Sequence, residues 1–182
     1  MKRRGRAARG GPAKIPGRVS IHDRPRGADG STFGDFEMDT IISARSRAVI
    51  LTLVERYTGL ILMARVAEGK APRAVARTAV LLAPYKGKIR SITTDNGTEF
   101  RDHQYITERL GARVYFADPY ASWQKGIIEY SNKLIRQYVR KNDDFKSIEN
   151  KKLAEYRNRI NTRPRKKLGF RTPLAVFLEY CQ

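Results

Sequence analysis

Short β-rich segments, rich in apolar side chains, follow one another along the first third of the chain. Three such segments, 35–43, 47–56 and 60–67, are separated by short turns, the second of which contains Gly59. Short β-rich segments interrupted by turns predict an antiparallel meander of three strands. One position departs from the pattern, because Asp39 lies among apolar residues in the middle of the first strand.

Helical patterns and short β-rich segments take turns after the meander. Pro72 near the start of one helical pattern and Gly111 after another mark a helix start and a helix end. The predicted elements are a helix at 71–85, a strand at 89–94, a helix at 101–110, a strand at 113–117, and helices at 127–141, 147–160 and 174–180. Through the fifth strand the order is β-β-β-α-β-α-β, which predicts an α/β domain in which the first and fourth strands can be neighbours.

Positive charge is concentrated at the two ends of the chain. The 182 residues include 37 Lys and Arg against 18 Asp and Glu, for a formal net charge of +19. Residues 1–30 carry +7, residues 31–130 carry +3 and residues 131–182 carry +9. We therefore expect a basic flexible arm at 1–30, a core domain at 31–145, and a basic helical extension packed on the core at 146–182. Such a charge predicts a polyanionic partner.

The rarest residues exclude several kinds of site. Cys181 is the only cysteine, and together with His22 and His103 it is too little for a zinc site, which needs about four such ligands. Any metal must therefore be held by oxygen. No apolar segment approaches the roughly 20 residues that span a bilayer, and none follows the charged N-terminus as in a signal peptide. We expect a soluble intracellular protein.

Three carboxylates each have a plain structural explanation. Asp39 can be a protective charge on an edge strand, Asp95 can belong to a tight Asp-Asn-Gly turn, and Glu129 can stabilise the first turn of a helix. Taken together, the three carboxylates have another explanation, which is a shared metal site. Adjacent first and fourth strands would place Asp39 beside Asp95, and a later helix packed across the sheet can bring Glu129 to the same point. Converging carboxylates need cations, and two Mg²⁺ ions about 3.5–4 Å apart support phosphoryl transfer at a phosphodiester.

The helix that carries the third carboxylate has a polar, basic face. Its members recur at helical spacing, opposite an apolar stripe, and are Glu129, Asn132, Lys133, Arg136 and Arg140. The carboxylate thus shares a face with cations that can bind phosphates, which favours a metal site beside a phosphate backbone. The same pattern is also typical of an ordinary amphipathic surface helix, and both interpretations stay open.

Several sequence motifs resemble those of a known family. They are 34–41 (GDFEMDTI), 94–100 (TDNGTEF), 116–126 (FADPYASWQKG) followed by Glu129, and 161–173 (NTRPRKKLGFRTP). Together they resemble the DDE catalytic core of bacterial insertion-sequence transposases, and above all that of the IS-thirty family. The 33 residues between the second and third carboxylates match the spacing expected of that family, and the last motif resembles its C-terminal signature.

The resemblance implies a ribonuclease H-like fold of the retroviral integrase type, with a mixed five-stranded sheet flanked by helices. It also implies dependence on Mg²⁺, for which Mn²⁺ substitutes, and cleavage and joining of DNA without a covalent enzyme intermediate. Asp39, Asp95 and Glu129 would be the catalytic, metal-binding triad. The residues expected to contact DNA are Trp123, Lys125, Lys133, Arg136, Arg140, Arg163, Arg165, Lys166 and Lys167. The implied partners are transposon ends and target DNA, bound by a homo-oligomer at the nucleoid in the bacterial cytoplasm.

Two features depart from the family pattern and leave alternatives. Ile128 and Tyr130 flank Glu129 where the family usually has a polar Asn, and no helix-turn-helix pattern precedes Gly34. The chain can therefore be a truncated remnant that binds DNA without transposing it. A third interpretation is a non-enzymatic basic nucleic-acid-binding protein, which the charge suits but which has no need of three carboxylates.

Overall fold

Within residues 15–83 and 86–182, which the computed structural model describes, five strands form one mixed sheet. The strands are β1 (Asp35–Ile42), β2 (Val49–Glu55), β3 (Ile61–Val66), β4 (Ser91–Thr94) and β5 (Arg113–Phe116). Their spatial order is β3-β2-β1-β4-β5, with β1, β2 and β3 antiparallel and with β4 and β5 parallel to β1. The predicted meander and the predicted contact between the first and fourth strands are both confirmed.

Helices cover both faces of this sheet. They are α1 (Pro72–Leu82), α2 (His103–Leu110), α3 (Gly126–Ile135), α4 (Asn150–Asn161) and α5 (Pro173–Glu179). Alternate residues of β1 belong to two different apolar clusters. Phe36 and Met38 pack with α1 and α2, whereas Ile41 packs with α3 and α4. The face that carries Ile41 is therefore also the face of Glu37 and Asp39.

Two helix boundaries follow the predicted signals. α1 begins at Pro72. Proline lacks a backbone N–H, but an N–H in the first turn of a helix has no acceptor within the helix, so no hydrogen bond is lost. α2 ends at Gly111, which adopts φ 71°, a left-handed conformation that glycine takes without strain. α1 ends at Leu82, and the last two residues of its predicted range, 84–85, lie outside the described chain.

The predicted helix at 127–141 is shorter in the structure. α3 ends at Ile135, because Gln137 N donates to Leu134 O and Tyr138 N donates to Ile135 O, bonds that span three residues instead of four. Arg140 therefore lies beyond the helix and does not continue its polar face.

Part of the predicted flexible arm is also different. Phe116 N donates to Val19 O at 2.9 Å, and Ser20 forms a parallel bridge with Phe116, so this segment lies along the outer edge of β5. Ala28 is fully buried. In the structure the open edge of the sheet offers Val19 and Ser20 backbone partners that composition does not reveal. The remaining part of the predicted arm, 1–14, lies outside the described residues.

The opposite edge of the sheet is covered by α4, which packs along β3. The side-chain amide of Asn161, at the end of α4, exchanges two hydrogen bonds with the backbone of Ile61, at 2.9 and 2.8 Å. The outer strand thereby gains partners for backbone groups that a neighbouring strand would otherwise satisfy. Among the described helices, none is long and apolar enough to cross a membrane.

Candidate active site

Two carboxylates lie side by side at one end of the sheet. In the parallel pairing of β1 with β4, Glu37 is opposite Thr93. Asp39 and Asp95 lie two residues further along each chain segment, Asp39 still within β1 and Asp95 directly after β4, so they occupy neighbouring positions. This is the juxtaposition that the strand order predicts.

Asp39 is fixed by two donors from different elements. Its Oδ1 accepts a hydrogen bond from Thr40 N at 2.9 Å, and its Oδ2 accepts one from Asn132 Nδ2 of α3, also at 2.9 Å. The amide oxygen of Asn132 in turn accepts from Thr52 Oγ1 on β2 at 3.3 Å. Burial raises the pKa of the Asp39 carboxyl; Lys125 opposes this rise, and the neighbouring Asp95 adds to it.

An ammonium group lies between the two carboxylates. Lys125 Nζ is 3.4 Å from Asp95 Oδ2 and 3.8 Å from Asp39 Oδ1, and its side chain is only 7% exposed. The sequence predicted Lys125 as a DNA contact on the surface. In the structure the residue is buried and its ammonium is paired with the carboxylates, because the 3₁₀ turn Ser122–Lys125 directs it into the site.

The third carboxylate enters the same cleft from the other wall. Glu129 lies in the first turn of α3, is exposed, and lines a cleft of about 590 Å³ together with both aspartates. Within the described residues, no three His, Cys, Asp or Glu side chains form a close metal-binding group. In the structure, therefore, the Lys125 ammonium pairs with both Asp39 and Asp95, and Glu129 lies across the cleft from them.

The donor set is compatible with a divalent metal. Carboxylate oxygens are the ligands that Mg²⁺ prefers, and Mg²⁺ typically uses only one or two protein carboxylates together with water and substrate phosphate. The position of the Lys125 ammonium supports this fit, since it demonstrates that Asp39 and Asp95 accommodate one cation between them. These two residues, with Glu129 across the cleft, could hold the metal.

A buried glutamate that the sequence did not single out connects α3 to β1. Glu37 Oε2 accepts from Ile128 N at 2.8 Å, and its Oε1 lies 3.1 Å from Arg56 Nε, although the alignment is too poor for a hydrogen bond. Burial raises the pKa of Glu37, while the Ile128 amide and the Arg56 charge oppose the rise. The alternation along the first strand predicted that Glu37 shares a face with Asp39. It did not predict the hydrogen bond between Glu37 and Ile128 of α3.

Glu99 supports the loop that carries Asp95. Its Oε1 accepts from Thr40 Oγ1 at 2.9 Å and pairs with Lys70 Nζ at 2.7 Å. A Cβ on Gly97 would lie 2.6 Å from Glu99 Oε2 and 3.0 Å from Asp95 Oδ1. The glycine of the Asp-Asn-Gly turn thus leaves room for these two carboxylates, and any side chain at this position would force Glu99 to move.

Two large aromatic side chains project from the loop between β5 and α3. Tyr120 lines the cleft, is 100% exposed and has φ 62°, which is an unusual conformation for a bulky residue. Trp123 is 75% exposed, as expected of a DNA contact. Tyr120 was not among the predicted residues, because its exposure depends on the loop conformation.

The remaining predicted DNA contacts fall into two groups. Exposed and available for a ligand are Lys133, Arg140 and Lys166. Engaged within the protein are Arg136 with Ile42 O, Arg163 with Tyr138 Oη and Gln137 Oε1, Arg165 with Ile160 O, and Lys167 with Arg56 O. Burial lowers the pKa of Arg136 and Lys167. Together with residues of α3, a second cavity of about 360 Å³ is lined by Arg165, Lys166 and Lys167.

Comparisons with known proteins agree with this fold. The family model described as "Integrase core domain" matches residues 25–122, a range that includes Asp39 and Asp95 and ends before Glu129. The crystal structure of the catalytic core domain of BIV integrase superposes with a TM-score of 0.60 at 21% identity, over 80% of this chain and 93% of that one. The retroviral integrase type of fold predicted from the sequence is confirmed.

Several curated relatives are transposases by name. The chain is 42% identical to the transposase for insertion sequence element IS4351 of Bacteroides fragilis, over 97% of its own length and 56% of that protein. It is 34% identical to the transposase InsI for insertion sequence element IS30A of Escherichia coli (strain K12), over 96% of its length and 46% of that protein. The chain thus spans about half the length of these relatives.

Proposed function

Because the chain belongs to the integrase core domain family, we propose that it is the catalytic core of an insertion-sequence transposase, which cuts DNA strands and joins them by phosphoryl transfer. The observation that carries this proposal is the pair Asp39 and Asp95. They lie side by side where β1 runs parallel to β4, and the ammonium of Lys125 lies between them. Glu129 completes the set of oxygen ligands from α3. A DNA-binding protein without chemistry has no use for carboxylates at this position.

Asp39, Asp95 and Glu129 would hold Mg²⁺ or Mn²⁺. When bound, the metal polarises an attacking water or 3′-hydroxyl and stabilises the leaving oxygen during in-line displacement at a phosphodiester. Asn132 orients Asp39 by its hydrogen bond, and the Gly97 turn orients Asp95, since Gly97 N donates to Asp95 Oδ1 at 2.9 Å. The protein thus holds its ligands in place before the metal arrives.

Positive charge on and beside α3 would hold the DNA. Lys133 is exposed on α3, one turn beyond Glu129, and Lys166 is exposed beside the same helix. Contacts of this kind bind phosphates without reading base sequence. Binding of this chain should therefore depend strongly on salt concentration and weakly on DNA sequence.

The exposed ring of Tyr120 is expected to stack on an unpaired base beside the cleft. Substitution Tyr120→Ala should weaken binding of a duplex with a frayed end by about tenfold, because stacking on an aromatic side chain contributes about 1–3 kcal/mol per base. Tyr120→Phe should bind normally. Fluorescence anisotropy at fixed salt measures both, and Leu81→Ala on α1, which is 82% exposed, is the matched control. Equal affinity of the Tyr120→Ala variant and wild type would contradict the stacking assignment.

Nicking of supercoiled plasmid tests the proposed function. Wild-type protein should convert the plasmid to open circles in Mg²⁺ or Mn²⁺ and should be inactive in EDTA. Binding of the same plasmid, measured in parallel, should persist in EDTA, because the basic residues do not need the metal. Nicking that proceeds equally in EDTA, or bound plasmid that is not cut in either metal, would refute the proposal.

A further inference from the structure

The buried ammonium of Lys125 is in an unusual position for a DNA-binding lysine. Its side chain is 7% exposed, and Nζ lies within 3.8 Å of both aspartates. The residue precedes α3 directly and lines the cleft that Glu129 also lines. A lysine that is withdrawn from solvent in this way cannot contact a DNA phosphate until its ammonium leaves the carboxylates.

The ammonium and a divalent cation compete for the same oxygens. Mg²⁺ needs carboxylate oxygens at about 2.0–2.1 Å, whereas the ammonium takes Asp95 Oδ2 and Asp39 Oδ1 at hydrogen-bond and ion-pair distances. A cation placed between these oxygens would also lie next to the positive charge of Lys125 and be repelled by it. Both cannot occupy the site in the geometry of the structure.

We propose that Lys125 is an internal counter-ion that Asp39 and Asp95 exchange for the divalent metal. This inference rests on the function proposed above. Before exchange, Lys125 neutralises two neighbouring carboxylates that would otherwise repel each other. After exchange, its long flexible side chain is free to turn into the cleft, where it can contact the phosphate of the bound strand. Lys125 is thus a positioning residue that links occupation of the site to binding of the DNA.

Calorimetric titration of the DNA-free protein with Mn²⁺ tests the exchange. The Lys125→Gln variant should bind Mn²⁺ about tenfold more tightly than wild type, because a like charge a few ångströms from the site no longer opposes the metal. Lys125→Arg retains the charge and should bind like wild type. Lys151→Gln, an exposed residue of α4, removes the same charge far from the cleft and should also leave Mn²⁺ affinity unchanged.

Amine labelling of the wild-type protein provides a second test that does not depend on the folding of a variant. In EDTA, Lys125 should react slowly with an amine-acetylating reagent, and Lys151 should react fast. Addition of Mg²⁺ should raise the reactivity of Lys125 severalfold and leave that of Lys151 unchanged. Mass spectrometry of the digested protein measures both sites in one sample.

The outcomes separate this inference from the proposed function. If wild type binds Mn²⁺ but Lys125→Gln binds it equally or more weakly, the exchange is refuted and the metal site stands. The same holds if Mg²⁺ leaves the labelling of Lys125 unchanged or lowers it. If neither wild type nor Lys125→Gln binds Mn²⁺, both the exchange and the metal-dependent function are refuted.

Discussion

The Asp95→Asn variant is expected to lose DNA strand cleavage by at least about a thousandfold. Metal ions contribute several kcal/mol of transition-state stabilisation, and each 1.4 kcal/mol corresponds to a tenfold change in rate. The substitution removes the charge that we propose binds the metal but keeps the size of the side chain, and its amide oxygen can still accept from Gly97 N. The initial rate of plasmid nicking in Mg²⁺ measures the loss.

DNA binding should survive this substitution. Removal of a negative charge from the cleft leaves the affinity for plasmid DNA unchanged or slightly higher, which a filter-binding titration measures. Asp102→Asn, which removes the same charge at the start of α2, is the matched control and should nick at the wild-type rate. An Asp95→Asn protein that nicks as fast as wild type would remove Asp95 from the catalytic centre.

The Glu37→Ala variant should show the largest loss of folding stability among the predicted changes. It removes one partner of a buried ion pair, leaves Arg56 uncompensated, and deprives Ile128 N of its acceptor. Breaking a buried pair from one side costs about 3–5 kcal/mol. Urea unfolding followed by circular dichroism measures the free energy of unfolding directly.

Cleavage should fall together with stability in this variant, because Glu37 connects β1, which carries Asp39, to α3, which carries Glu129. Glu37→Gln keeps an acceptor for Ile128 N and should lose less stability than Glu37→Ala. Glu68→Ala, at an exposed position after β3, should stay within about 0.5 kcal/mol of wild type. A Glu37→Ala protein with wild-type unfolding energy would show that this pair does not hold the helix.

Local patterns were enough to predict the sheet and the positions of its strands. Short β-rich segments identified β1, β2 and β3, and the short turns between them set an antiparallel course. Proximity of Asp39 and Asp95 followed from strand order alone, because β4 lies beside β1 and Asp95 directly follows β4. These features depend on sequence neighbours, so a single sequence contains them.

Features that depend on distant partners were missed. Composition indicates a flexible arm at 1–30, whereas Val19 and Ser20 pair with the free edge of β5. Lys125 was predicted as a DNA contact, whereas the fold places its ammonium beside two carboxylates. The polar face of α3 stops short of Arg140, because the helix ends at Ile135. In each case the missing information was a tertiary contact.

Joining of a DNA strand end most directly tests the claim that this carboxylate site performs strand transfer. A labelled oligonucleotide with a free 3′-hydroxyl and a matched oligonucleotide with a 3′-deoxy end are incubated with target plasmid, Mg²⁺ and wild-type protein. The account predicts joined product from the 3′-hydroxyl strand only, with no DNA covalently attached to the protein. Equal joining of the 3′-deoxy strand, no joining of either strand, or a covalent protein–DNA adduct would contradict it.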